Sequence, residues 1–219
     1  EQQDEYALKS LENALNAQAS QAFEGEIEPV TVRTRKGPVA VSVDEQPAHA
    51  RPEKIPSLKP AFKKDGTVTA ANASSISDGA AALILMRESE AKEKGLPNRA
   101  YIRSHASHAQ EPNWFTTAPV PAMKQVLADT GWSVEDVDLW EINEAFAVVP
   151  MAAMKELGMD REKLNVNGGA CALGHPIGAS GARILVTLLH ALENRDKTKG
   201  VASLCIGGGE GTAVAIERA

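Results

Sequence analysis

A switch between two hydrophobic periods, repeated from Ala100 to the end of the chain, limits the possible folds more than any other feature. Ala100–Ala106 and Val137–Ile142 read as strands. Between them Met123, Val126 and Leu127 recur at helical spacing, in a helix that Pro121 opens. A second helix runs from about Val149 to Gly158. A third starts at Ser180 and carries Ile184, Leu185, Leu188, Leu189 and Leu192. Strands Val201–Ile206 and Thr212–Ile216 then flank Gly207-Gly208-Gly209-Glu210-Gly211. Helices and strands that alternate must cover one another's apolar faces, which implies a layered α/β fold.

The first part of the chain is less regular. Leu8, Leu11, Leu15, Ala19 and Ala22 predict an amphipathic helix ending near Gly25. Val30 and Val32, then Val39, Val41 and Val43, alternate about Lys36-Gly37-Pro38 and predict a hairpin. Residues 44–66 carry Pro, Lys and Glu with little periodicity and read as a loop. Thr67 to Asp78 is small and polar, and Ala80–Met86 is a continuous apolar run that predicts a buried strand. A boundary falls near residue 98.

Composition excludes some classes. The chain has 219 residues, 43% apolar and 24% charged, with a net charge of −6. That is enough length to bury a core. The acidic balance, with no Lys/Arg block, argues against nucleic acid, although local cations could still meet a small polyanionic ligand. Cys171 and Cys205 are the only cysteines and form no disulfide framework. Both suit a reducing compartment. No apolar run is long enough for a membrane span, and the start does not read as a signal peptide. Glu-Gln-Gln-Asp leads straight into helical periodicity, like an interior stretch of a longer polypeptide. A cytoplasmic location is expected.

Three segments carry more chemistry than a scaffold needs. Glu141-Ile-Asn-Glu-Ala-Phe-Ala147 puts Asn143 and Glu144 where a buried strand ends. Ligands gather at such ends in α/β folds, although the same two side chains could instead cap the next helix. The second segment, Asn165 to Gly181, holds five glycines and one histidine, His175, just before a helix. A histidine in such a loop is a good candidate base. Cys171-x₃-His175 lacks a second ligand pair for a metal, and no Gly-Lys-Ser/Thr follows to make a phosphate loop. The third, Cys205-Ile-Gly-Gly-Gly-Glu-Gly211, brings a thiol from a strand into a glycine turn whose N–H groups can face an oxyanion.

Asn-Glu-Ala-Phe-Ala at 143–147, Gly-His-Pro at 174–176 and Cys-x-Gly-Gly-Gly at 205–209 resemble, in this order, the motifs of thiolases. Gly66 to Ala80 is similar to the coenzyme A-facing stretch of that family. The resemblance implies a thiolase-like layered α/β/α fold. Residues 1–70 would be a segment of the coenzyme A-binding loop domain, 71–97 the end of the N-terminal domain, and 98–219 a complete C-terminal domain. It implies His175 as the base for a nucleophilic thiol and Cys205 as the base for an acetyl α-carbon. Asn143 would serve one oxyanion site, through a water, and Gly207 the other. Such donors and bases are each worth roughly 3–5 kcal/mol of barrier. Leu58, Phe62, Ala70, Ser74, Ala145 and Phe146 would meet coenzyme A, which is substrate rather than cofactor; no cofactor and no metal are implied.

The resemblance also implies what departs from it. The acyl-carrying cysteine of the family lies in an N-terminal half not found in these residues, and family members run close to twice this length. Cys171 does not replace it. Ala71 and Ser75 stand where many relatives have glycine, and His49 or Arg51 are the candidates for meeting the adenosine phosphate. The strand Ala80–Met86 would then lack neighbours and expose an apolar edge. The implied activity is acetyl-CoA acetyl transfer, favoured by Ile-Gly-Ala-Ser-Gly-Ala-Arg at 177–183. The alternatives are a β-oxidation 3-ketoacyl-CoA thiolase and a non-catalytic coenzyme A-binding fragment. An acyl-CoA substrate, the absent N-terminal half and a second copy in a homo-oligomer are the expected partners, with no nucleic acid and no membrane.

Overall fold

The structure, a computed structural model, describes all of residues 1–219. Helix α1 (Gln2–Ala19) is followed by turns through residue 26 and a two-stranded hairpin of β1 (Val30–Thr34) and β2 (Gly37–Val41). Two short helices come next, α2 (Gln46–His49) and α3 (Glu88–Glu93), far apart in a long irregular stretch. The regular part begins at β3 (Ala100–Ala109) and continues with α4 (Pro119–Thr130), β4 (Leu139–Ile142) and α5 (Val148–Leu157). It ends with α6 (Ala170–Leu173), α7 (Ser180–Asn194), β5 (Lys199–Ile206) and β6 (Glu210–Arg218).

The four later strands form one sheet in the order β3-β6-β5-β4. β4 and β5 run parallel, with Ile142 opposite Ser203, while β6 lies antiparallel to β5 and β3. Strand alternation sends side chains to opposite faces. Trp140, Ile142, Val201, Cys205, Ala213 and Ala215 join Met123 and Val126 of α4 and Val149 of α5 in one core. Leu139, Ala202 and Ile216 join Ile184, Leu188 and Leu192 of α7 in the other. The result is α/β/α layering, as the sequence implied.

Several boundaries differ from the sequence reading. α1 stops at Ala19, six residues short of Gly25, because Gln21 takes φ +60° and breaks the helical path. Pro119, not Pro121, stands at the start of α4, where its missing N–H is harmless. That helix closes as expected of a C-terminal glycine. Gly131 is left-handed at φ +69°, Gly131 N–H donates to Ala128 and Trp132 N–H to Leu127. Val43 lies beyond β2, and the stretch expected as plain loop holds α2 and a 3₁₀ turn at Pro52–Ser57.

The largest correction concerns Ala80–Met86, which forms no strand. Ile84 is 88% exposed and Leu85 64%, so the run has no sheet to join and nothing to bury against. An apolar pattern makes a strand only where a neighbour offers its ladder and its face. No helix is long and apolar enough to cross a membrane.

Candidate active site

The parallel pair β4 and β5 ends in the residues that matter. Asn143 N–H donates to the Ser203 carbonyl at 2.9 Å, extending the ladder one step past β4. This fixes Asn143 beside the last residues of β5, where Cys205 and Gly207 follow. Asn143 is 1% exposed, and its Nδ2 lies 3.3 Å from His175 Nε2. His175 is anchored on its other side as well, with Nδ1 2.6 Å from Ser180 Oγ. Its backbone N–H donates to Ser75 at 3.0 Å. Burial, and then the nearby Arg183 cation, hold the imidazole below its ordinary pKa, so it is neutral at pH 7.

The alternative that Asn143 and Glu144 cap the next helix does not hold. α5 begins at Val148 after Ala147, with no side-chain cap. Glu144 is instead a fully buried hub. Its carboxylate accepts from Tyr6 Oη at 3.0 Å, Ser10 Oγ at 2.7 Å, Asn165 Nδ2 at 2.7 Å and the Cys171 N–H at 3.0 Å. A carboxylate out of water survives only when its lone pairs are filled in this way. Gly169 packs so close that any Cβ there would overlap the Glu144 carboxyl group. The hub ties α1 to the loop before α6 and so sets the position of the glycine-rich segment that carries His175.

The two thiols are both free and differ in what they face. Cys171 Sγ donates to the Glu144 carbonyl at 3.8 Å, and burial and then the Glu144 charge push its pKa well up. Cys205 is 6% exposed within the α4/α5 core, and burial raises it to about 11. The N–H donors of the glycine turn do not bring it down toward neutrality. Gly207 sits exposed on the turn after β5, and its N–H makes no bond within the chain.

The residues expected to meet coenzyme A separate into two groups. Ser74, Ala145, Phe146 and Phe62 form one. Ser74 N–H and Oγ both donate to the Ala145 carbonyl at 3.0 Å. Ala73 and Phe146 share a β-bridge. The Phe146 ring meets Phe62 edge-on at 6.1 Å and Phe115 at 6.2 Å. Phe62 is 74% exposed, so the aromatic row opens to solvent. Leu58 and Ala70 line a separate cavity of about 250 Å³ together with Ile55, His49 and Cys171. Arg51 is exposed beside it. Sequence reasoning missed Tyr6, Ser10, Asn165 and Ser180; the only local signal was that Asn165 opens the glycine-rich run.

The sequence model "Thiolase, C-terminal domain" matches residues 96–218, and "Thiolase, N-terminal domain" matches residues 1–89. The chain is 56% identical over its whole length to an acetyl-CoA acetyltransferase of Escherichia coli (strain K12), of which it covers 56%. It superposes at a TM-score of 0.95 on the crystal structure of the Bacillus anthracis acetyl-CoA acetyltransferase, at 50% identity over 99% of the chain and 55% of that protein. The Acat5 thiolase from Ascaris suum in complex with coenzyme A gives a TM-score of 0.90 at 45% identity, covering all of this chain and 56% of the other. The chain therefore spans about half the length of the relatives that it matches.

Proposed function

Because the chain belongs to the thiolase family, we propose that it supplies the proton-transfer and oxyanion half of an acetyl-CoA acetyltransferase site. The observation that carries this reading is the meeting of Asn143 Nδ2 and His175 Nε2 at the ends of β4 and β5, one of which leads into Cys205 and Gly207. Acetyl transfer through a thioester needs an acyl-carrying thiolate. By resemblance to the family neither Cys171 nor Cys205 stands in the acyl carrier's place, and burial keeps both thiols protonated at rest. The acyl carrier thus comes from residues outside these 219, and the chain alone is inactive.

The chemistry divides among the side chains in hand. The neutral imidazole of His175 takes the proton of the nucleophilic thiol as that sulfur attacks the acetyl thioester carbonyl. A Cys205 thiol near 11 enters protonated. It gives its proton to the departing coenzyme A sulfur, and the resulting thiolate then removes an α-proton from a second acetyl-CoA. The Gly207 N–H and Asn143, the latter through a water, receive the charge that develops on the two carbonyl oxygens. The carbanion attacks the acetyl-enzyme, His175 returns its proton to the departing sulfur, and acetoacetyl-CoA and the free nucleophilic thiol are released.

Coenzyme A is substrate here, and no cofactor enters. Phe62, Ser74, Ala145 and Phe146 border its path, with Leu58 and Ala70 on the separate cavity. Residues 1–70, 71–97 and 98–219 would act as loop-domain, N-terminal and C-terminal parts of one thiolase, working in the cytoplasm as a homo-oligomer. The test joins this chain to the part of the Escherichia coli relative that it leaves uncovered. In that chimera His175→Ala should lower kcat by roughly 10²–10⁴-fold with coenzyme A affinity little changed. A large loss of melting temperature with kcat retained would assign His175 to the scaffold instead.

A further inference from the structure

We infer that Ser180 is a positioning residue that fixes His175 as the Nδ1–H tautomer, leaving Nε2 as the unprotonated nitrogen that faces the site. The inference rests on the reading of His175 as the base, and it comes from the direction of three hydrogen bonds. An amide nitrogen only donates, so Asn143 Nδ2, 3.3 Å from His175 Nε2, requires a bare Nε2. The single proton of the neutral ring is then on Nδ1, which donates to Ser180 Oγ at 2.6 Å. The serine hydroxyl is oriented in turn, because it donates to the Pro176 carbonyl at 3.1 Å. One polarity runs through the whole row, from the Asn143 amide through the ring and the hydroxyl to the carbonyl.

The row is rigid at both ends. Ser180 is fully buried at the first residue of α7, and Asn143 is locked to β5 by its backbone. The ring's own backbone is pinned at Ser75, and Ile76 forms a bridge with His175. The choice of a hydroxyl has a consequence of its own. A carboxylate behind Nδ1 would favour the imidazolium, whereas a neutral oxygen sets the tautomer without adding charge. The ring therefore stays a free base at neutral pH, in keeping with its depressed pKa.

Two-bond ¹H–¹⁵N correlation spectra of the ¹⁵N-labelled chain at pH 7.5 read the tautomer directly, with His175 assigned by its disappearance in His175→Gln. The expected wild-type pattern is a protonated-type Nδ1 and an unprotonated-type Nε2. In Ser180→Ala the two shifts should move toward each other or exchange, as the ring drifts to the Nε2–H form, and Ser180→Thr should restore them. If Ser180→Ala does not fold, Ser180→Cys takes its place, since sulfur is a weak acceptor. A wild-type proton on Nε2 overturns the inference, as does an unchanged tautomer in a folded Ser180→Ala or Ser180→Cys. The readout needs no turnover. A tautomer that obeys Ser180 while His175→Ala keeps its kcat would sink the catalytic reading alone, and the reverse result would sink this one alone.

Discussion

Glu141 and Glu144 stand three residues apart, both buried, and their surroundings treat them in opposite ways. Glu144 points into four donors. Glu141 faces the α7 side with neither oxygen hydrogen-bonded, and its one cation, Arg183, lies 3.9 Å away. Burial raises Glu141 to about 8, with Arg183 opposing and Glu26 adding to the rise, and burial also lifts Glu26 to about 7. The ordinary carboxylate value is lower, so the folded chain binds these protons more tightly than the unfolded chain. Stability must then fall as pH rises from about 5 toward 8. Urea midpoints across that range should decline for the wild type and decline clearly less for Glu141→Gln. Equal slopes would mean that Glu141 is ionised when buried.

The same scale decides between the thiols. In the chimera Cys205→Ser should leave acylation nearly intact and cripple condensation, because only the second step needs the α-proton. Cys171→Ala should keep both steps within a few-fold of wild type. Single-turnover kinetics separates the steps. A more damaging Cys171→Ala would reverse the assignment. His175, Asn143, Cys205 and Gly207 stood out in the sequence because each lies in a short motif that resembles the family's, and the structure brings the first two within 3.3 Å of each other. Ser180 did not, since its role depends on a hydroxyl that a turn brings back to the histidine from five residues further on.

At the scale of elements, α1 shows what periodicity conceals. Its apolar spacing predicts a helix, which forms, but its functional content is two polar side chains. Tyr6 and Ser10 reach a carboxylate 138 and 134 residues away, and no local pattern encodes that contact. Ser10 also accepts from the Gly169 N–H at 3.0 Å, so Ser10→Ala removes a donor to a charge and orphans a buried amide. The expected cost is about 2–3 kcal/mol. For a chain of this size the melting temperature falls roughly 2–4 °C per kcal/mol. Lys9→Ala, which breaks only an exposed ion pair with Glu12, should change little. If the two variants melt alike, α1 is not held through Glu144. Ala80–Met86 failed as a strand for the complementary reason, since an apolar run contains no statement about whether a partner is present.

At the scale of the molecule, two features point outward. The layered half from Ala100 to Arg218 has both faces of its sheet covered by helices, whereas Val30, Val32, Val39 and Val41 of the hairpin and Ile84 and Leu85 are exposed. The proposed site has the same one-sided character: on that reading it holds a base, an α-carbon base and oxyanion donors, and both of its thiols are buried. On the proposed reading these 219 residues form one functional half of a thiolase site. Acetoacetyl-CoA formation from acetyl-CoA, measured side by side for the isolated chain and for the chimera with the uncovered part of the Escherichia coli relative, tests that claim most directly. The expected result is no turnover and no acetyl adduct on the isolated chain, and turnover in the chimera that is lost with Cys205→Ser. A stoichiometric adduct on Cys171 or Cys205 with acetoacetyl-CoA released by the isolated chain, or a folded chimera that does not turn over, would contradict it.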